Sequence, residues 1–184
     1  MKNIFSILKF TLFMLVLLAV IYPMAIFGIA QLAPNKGKGE TVTVNGKVVG
    51  YQKIGQKFDK SHYFWGRPSA VDYNAAGSAG SNKGPSNADY LALVQKRIDT
   101  FLIVHSYLKK SEIPSDMVTA SGSGLDPNIS PKGALIQVKR VAATRKLSEE
   151  KVKALVESKI NAPTVMGTST VNVLELNIAL DELK

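Results

Sequence analysis

The chain has 184 residues, with 23 Lys and Arg against 14 Asp and Glu and a formal charge of +9; about 150 residues follow its N-terminal apolar segment, enough for one domain with its own core and not for two. The absence of Cys excludes disulfides, thiolate metal sites and a cysteine nucleophile, and only His62 and His105 offer imidazole. The basic balance suits anionic lipid or an acidic partner subunit rather than nucleic acid, and a solvated basic surface is the plainer alternative.

From Phe10 to Asn35 run 26 residues without a charge, mostly Leu, Ile, Val, Phe, Met and Ala. A helix of about 20 such residues crosses a hydrocarbon core of about 30 Å, so the run predicts a membrane span. Gly28 and Ala30 imitate a cleavage site, but a signal peptide has a shorter apolar core of about 7 to 15 residues, and the expectation is a retained anchor. Residues 1–35 are then tail and membrane helix, and 36–184 a soluble domain. The span has no ionisable side chain, so alone it offers an ion no path. Pro23 and Gly28 are candidates for close packing against a neighbouring helix, beside their ordinary tolerance in membrane helices. Lys2 and Lys9 lie before the run and Lys36, Lys38, Lys47 and Lys53 after it, so charge leaves the side of the domain open.

Past a linker with Pro34, Gly37 and Gly39, Thr41 to Val44 alternates, Asn45-Gly46 supplies a two-residue turn, and Lys47 to Tyr51 continues: a β-hairpin. Phe58 to Asn87 is irregular, with Tyr63, Phe64, Trp65 and Tyr73 among Gly, Ser, Asn and Pro, and a loop of this length is functional or a packed connector. Ser86 or Asn87 caps a helix with Leu91, Val94, Ile98, Phe101, Leu102 and Leu108 on one face. His105 falls on the same stripe, where a hydrogen-bonded core histidine is favoured over a ligand or base.

Ser130-Pro131 starts a helix expected to reach Arg145, with Leu135, Val138, Val141 and Ala142 buried and Gln137, Arg140 and Thr144 on an adjoining polar stripe. Ser148 starts another, with Glu149 and Glu150 at its positive end and Val152, Leu155, Val156 and Ile160 inward; Asn161, Pro163 and Gly167 break it. Val171 to Asn177 is either a buried strand or the start of a last helix to Leu180. The fold class is α+β: a single transmembrane helix followed by one mixed α+β soluble domain.

No G-x-x-x-x-G-K-[ST] sequence is present to cradle phosphates, so the chain does not hydrolyse ATP alone. Ser121-Gly-Ser-Gly124 lacks the G-x-S-x-G spacing around either serine, which leaves a tethered hydrolase using Ser121 or Ser123 with a histidine and Asp126 as a remote alternative. No catalytic residue and no metal site is assigned.

Six blocks carry a resemblance: Tyr63-Phe-Trp-Gly-Arg-Pro-Ser-Ala70, Gly80-Ser-Asn-Lys-Gly-Pro85, Val118 to Pro127, Ile129-Ser-Pro131, Gln137-Val-Lys-Arg-Val-Ala142 and Val171 to Asn177. In this order the chain closely resembles the C subunit of the bacterial Kdp potassium-transporting ATPase. The resemblance implies a single-pass protein of the bacterial inner membrane with an extracytoplasmic domain. Its implied partners are a potassium-conducting subunit, a P-type ATPase subunit, a small single-helix subunit and the bilayer; ATP and potassium act in the complex, and no cofactor is assigned to this chain. It implies an accessory role in assembly and activity, as a catalytic chaperone raising the ATPase subunit's affinity for ATP, and points to Gln137 with Arg140 as nucleotide contacts. Because an extracytoplasmic domain sees no cytosolic ATP, a stripe that orders adjacent loops or meets the conducting subunit is the first reading of that pair. A cap or gate at the outer potassium entrance is the alternative role. Tyr63, Phe64, Trp65 and Arg67 form either an interface anchor or part of the domain's own core. Lys83 and Asn128 depart from the family pattern, which expects an apolar residue and His there.

Overall fold

An uncharged run of good helix formers with no helix-breaking residue before Pro23 winds into one long membrane-length helix. The computed structural model of the protein describes residues 2–33, 35–163 and 165–183, in two units, Met1–Glu40 and Thr41–Lys184. The first contains α1 (Lys2–Val16), a π-helical turn (Leu17–Ile21) and α2 (Tyr22–Ala30). The apolar helix Asn3–Ala30 has 28 residues, about 42 Å at 1.5 Å per residue, the thickness of a bilayer with its headgroups. It starts before the uncharged run, taking in Lys9, whose long side chain can snorkel toward the interface, and it ends at Ala30 rather than Asn35. Pro34 lies outside the described residues.

The π-turn has a local cause. Pro23 has no N–H to give the Ala19 carbonyl, and its ring would collide with that carbonyl in a regular helix. One turn earlier the ladder widens, and the Tyr22 N–H reaches back five residues to the Leu17 carbonyl.

In the second unit, β1 (Thr41–Val44) and β2 (Lys47–Tyr51) form the expected antiparallel hairpin. Asn45 and Gly46 both take positive φ, 50° and 77°, as a type I′ turn requires. The register shifts between Val42 and Thr43, an irregularity in the pairing opposite Val49. The long segment to Asn87 is irregular apart from a single 3-10 turn at Ala75–Gly77. Asn87 then caps α3 (Ala88–Val104) by accepting from the Tyr90 N–H.

The stripe expected on α3 is only partly buried. Phe101 is in the core, but Leu91 is 53% exposed, and Leu108 lies beyond the helix, which stops before His105. Helical spacing fixes which residues share a face; it does not supply a neighbour along the whole of it.

A small antiparallel sheet follows, ordered β3 (Asn128–Ile129), β5 (Thr170–Asn172), β4 (Ile160–Asn161). Ile160 therefore pairs with Val171 rather than extending the apolar face of α6 (Glu149–Ser158), which keeps Val152 and Val156 fully buried. The run from Val171 resolves as both alternatives in turn. Strand β5 passes directly into α7 (Val173–Glu182), because the Asn172 side chain accepts from the Glu175 N–H and caps the helix.

The helix expected over 131–145 is broken into α4 (Pro131–Leu135) and α5 (Val138–Arg145). Two side chains replace its ladder at the join. Gln137 Nε2 takes the Gly133 carbonyl at 2.9 Å, while the Gln137 N–H shifts to the Ala134 carbonyl. The Tyr107 hydroxyl donates to the Ile136 carbonyl at 2.8 Å and accepts from the Arg140 N–H at 3.3 Å, standing in for the bond those two groups would share in an unbroken helix. The core lies where α5 packs on α6 and α6 on α7, around Val141, Val156, Val171, Leu176 and Leu180.

Removing the Tyr107 hydroxyl leaves the Ile136 carbonyl and the Arg140 N–H without that bridge. Tyr107→Phe is expected to lower unfolding free energy by about 1 to 3 kcal/mol in chemical denaturation, whereas Lys153→Ala, at an exposed i,i+4 pair with Glu157, changes it by less than about 0.5 kcal/mol.

Candidate functional site

Residues 61–65 run as an irregular segment with Phe64 wholly buried. A buried main chain outside any sheet needs hydrogen-bond partners for its N–H and C=O groups. Side chains from α5, from Gln137 just before it and from α7 supply them residue by residue. Arg140 Nη1 donates to the Ser61 carbonyl and Nη2 to the Tyr63 carbonyl at 3.0 Å, and Arg145 Nε donates to the His62 carbonyl at 2.8 Å. Asn177 Oδ1 accepts from the Phe64 N–H at 2.8 Å, and its Nδ2 donates to the Phe64 carbonyl at 3.0 Å. Gln137 repeats that pattern on Trp65, accepting from its N–H at 2.8 Å and donating to its carbonyl at 3.2 Å. The two amides act as one-residue β-bridges made from side chains.

Gln137 and Arg140 are thus buried, at 0% and 6% exposure, and are turned toward the segment they order. Besides Trp65, Gln137 bonds the Gly133 carbonyl, and its Oε1 also accepts from Arg140 Nη2 at 2.8 Å. Both amide N–H groups and both oxygen lone pairs are engaged. Arg140 in addition donates from Nε to His105 Nε2 at 2.8 Å, and its guanidinium lies 4.5 Å from the Trp65 ring centroid.

His105 is the buried, hydrogen-bonded histidine the stripe suggested. Because a carbonyl oxygen only accepts, its Nδ1 carries the proton given to the Phe101 carbonyl at 2.9 Å, and its Nε2 is left to accept from Arg140. The ring stacks on Phe101 with centroids 4.0 Å apart. Burial first, then the Arg140 charge, push its pKa from 6.5 down to about 4, against the opposing pull of the Phe101 carbonyl. Burial also lowers the Arg140 guanidinium to about 10, which leaves it charged at neutral pH.

The aromatic block divides. Phe64 belongs to the core, so it does not serve as a partner anchor. Tyr63, Trp65 and Arg67 are half-buried. The Tyr63 hydroxyl donates to Asp181, which also pairs with Arg145 at 2.6 Å, and burial and that carboxylate raise the Tyr63 pKa. Trp65 Nε1 donates to the Lys60 carbonyl. Arg67 pairs with Asp126 at 3.0 Å. In the other unit, a side chain at Gly28 would meet nothing within 4 Å, and Pro23 stands just after the π-turn.

Three residues of the hydrolase alternative have hydrogen-bond partners of their own. Asp126 binds Arg67 and the Asn128 N–H, Ser123 Oγ accepts from the Leu125 N–H, and both ring nitrogens of His105 are in use. Among the described residues no group of three or more His, Asp or Glu side chains is placed to hold a metal ion. Asn177 and Arg145, which hold the segment together with Gln137 and Arg140, were not singled out from the sequence; the signal for Asn177 is an amide standing inside an otherwise apolar run.

The family model for KdpC, the c chain of the K+-transporting ATPase, matches residues 4–182. The potassium-transporting ATPase KdpC subunit of Flavobacterium psychrophilum is 84% identical over 184 residues, covering 100% of both chains. Its counterpart from Flavobacterium johnsoniae is 81% identical over 184 residues, again 100% of both. That from Bacteroides thetaiotaomicron is 52% identical over 189 residues, also covering 100% of both.

Gln137→Ala strips partners from the Trp65 main chain, the Gly133 carbonyl and Arg140 at once. It is expected to destabilise the domain by about 3 kcal/mol or more, measured by chemical denaturation, with faster amide exchange at Trp65. Below pH 6.5 the unfolded chain protonates His105 while the folded chain resists until about pH 4. The histidine's contribution is therefore complete above pH 6.5 and declines as pH falls toward 4, by about 3 kcal/mol in all. The difference in unfolding free energy between the parent and His105→Gln, followed from pH 8 to pH 4, is expected to shrink over that window.

Proposed function

From its membership of the KdpC family of K+-transporting ATPase c chains, we infer that this chain is a non-catalytic accessory subunit of an ATP-driven, high-affinity potassium uptake complex, required for assembly and activity. Its partners are the potassium-conducting subunit and the P-type ATPase subunit, with a small single-helix subunit beside the span. The helix anchors it in the bacterial inner membrane, and the domain stands on the extracytoplasmic side, steadying the outer potassium entrance. Domains of this length translocate largely regardless of charge, so the lysines after the span do not oppose that orientation.

One observation carries the reading of how the domain acts. Every hydrogen-bonding group of Gln137 is engaged inside the domain, on Trp65, Gly133 and Arg140. Gln137 and Arg140 are positioning residues for the 61–65 segment. A raised affinity for ATP at the ATPase subunit then follows from docking of a well-ordered domain, with no contact between these side chains and nucleotide.

Asn177→Ala releases the same segment as Gln137→Ala without touching the Gln-x-x-Arg pattern. In the intact complex the two variants are expected to raise the ATP concentration for half-maximal hydrolysis alike; a rise confined to Gln137→Ala would point to nucleotide contact instead. Because the chain has no Cys, Lys153→Cys is a unique label. A membrane-impermeant maleimide applied to intact spheroplasts is expected to modify it, and labelling only after lysis would overturn the orientation.

A further inference from the structure

The wall that Trp65 forms, once held by Gln137 and Arg140, opens onto a groove of about 420 Å³ against α3. Phe101 and Met117, each 4% exposed, make its floor, and Leu93, 43% exposed, stands at its edge. Tyr73 closes one side with its hydroxyl turned away, donated to the Arg67 carbonyl. The lining brings four cations, Lys57, Arg67, Lys96 and Arg97, against one carboxylate, Asp59. Lys57 is paired with Asp72 and Arg67 with Asp126. Lys96 and Arg97 have no carboxylate partner among the described residues; Arg97 donates only to the Val118 carbonyl.

An apolar, aromatic floor with Arg at its edge has the composition of an interface hot spot, and its volume fits one large side chain with its neighbours. The charge selects the partner's sign. From Thr41 onward there are 19 basic and 13 acidic side chains, net +6, and the groove's own lining carries the same sign, four basic side chains to one acidic. A protein surface that gathers potassium ions is negative around its entrance, so it complements this face.

We propose that the groove between Trp65 and α3 receives an acidic segment of the potassium-conducting subunit, with one large apolar side chain seated over Phe101 and Met117 and carboxylates meeting Lys96 and Arg97. The proposal rests on the accessory-subunit reading and gives it a docking surface. It also assigns the buried clasp a purpose at a distance: Gln137 and Arg140 hold the Trp65 wall of the groove open.

The test uses the whole co-expressed complex, with p-benzoylphenylalanine in place of Leu93 and, as a control, in place of Lys153. After illumination, the Leu93 position is expected to give an adduct with an Asp- or Glu-bearing segment of the conducting subunit. Its yield is expected to fall at least tenfold with Lys96→Glu and to return with Lys96→Arg, while the control gives no such adduct. Adducts only with lipid or with a second copy of this chain, or none, from a complex that still co-purifies would overturn the groove proposal and leave the accessory reading standing. Failure of the parent chain to co-purify with the other subunits would overturn both.

Discussion

The domain depends on satisfying a buried main chain that has no strand beside it. Residues 61–65 are held by α5, Gln137 and α7 with Phe64 at zero exposure, and an orphaned N–H or C=O at the buried positions would cost about 1 to 3 kcal/mol each. Amide and guanidinium side chains take the place of a neighbouring strand. Asn177 and Gln137 suit the task because each offers one acceptor and two donors on a single planar group, matching the N–H and C=O of one residue. Arg140 and Arg145 suit the intervening carbonyls because a guanidinium presents several donors in a fixed fork.

That requirement reaches into the helices. Gln137 can bond Gly133 and Trp65 together only if the α4–α5 ladder gives way at the same place, and the Tyr107 hydroxyl fills the gap it leaves. Electrostatics follow the same geometry. A protonated His105 would turn a donor toward Arg140 Nε where an acceptor is required, so the neutral tautomer is part of the fold. The guanidinium that holds the segment also lies over the Trp65 ring, tying main-chain order at 61–65 to the aromatic wall beyond it.

Local chemistry made much of this legible. Asn45-Gly46, the caps at Asn87 and Ser148, and Ser130-Pro131 each specify an element through a nearest-neighbour interaction, and the elements stand there. The strands Asn128–Ile129, Ile160–Asn161 and Thr170–Asn172 are too short to display alternation, and their pairing joins residues far apart in sequence. The candidate site was half legible. Gln137 and Arg140 were found through a motif of the resemblance, but three residues apart on a helix says only that they share a face, and the reading that they order adjacent loops did not say which loop. Their burial arises from the segment some 70 residues earlier that needs their donors. The split among the aromatics, Phe64 inward and Trp65 half out, arises in an irregular segment, where no periodicity in the sequence announces which side chain turns inward.

The π-turn in the membrane helix sets a phase. Each residue of a regular helix advances the side-chain direction by about 100°, so the extra residue accommodated between Leu17 and Ile21 rotates the stripe that α2 presents relative to the continuation of α1. Side chains that would line one seam in a straight helix are divided between two directions, one for each half of the bilayer. The span can therefore face one neighbour with Leu8, Leu12 and Leu15 and a different one with Ile26 and Ile29. Proline at position 23 thereby sets the helix's azimuth as well as its backbone.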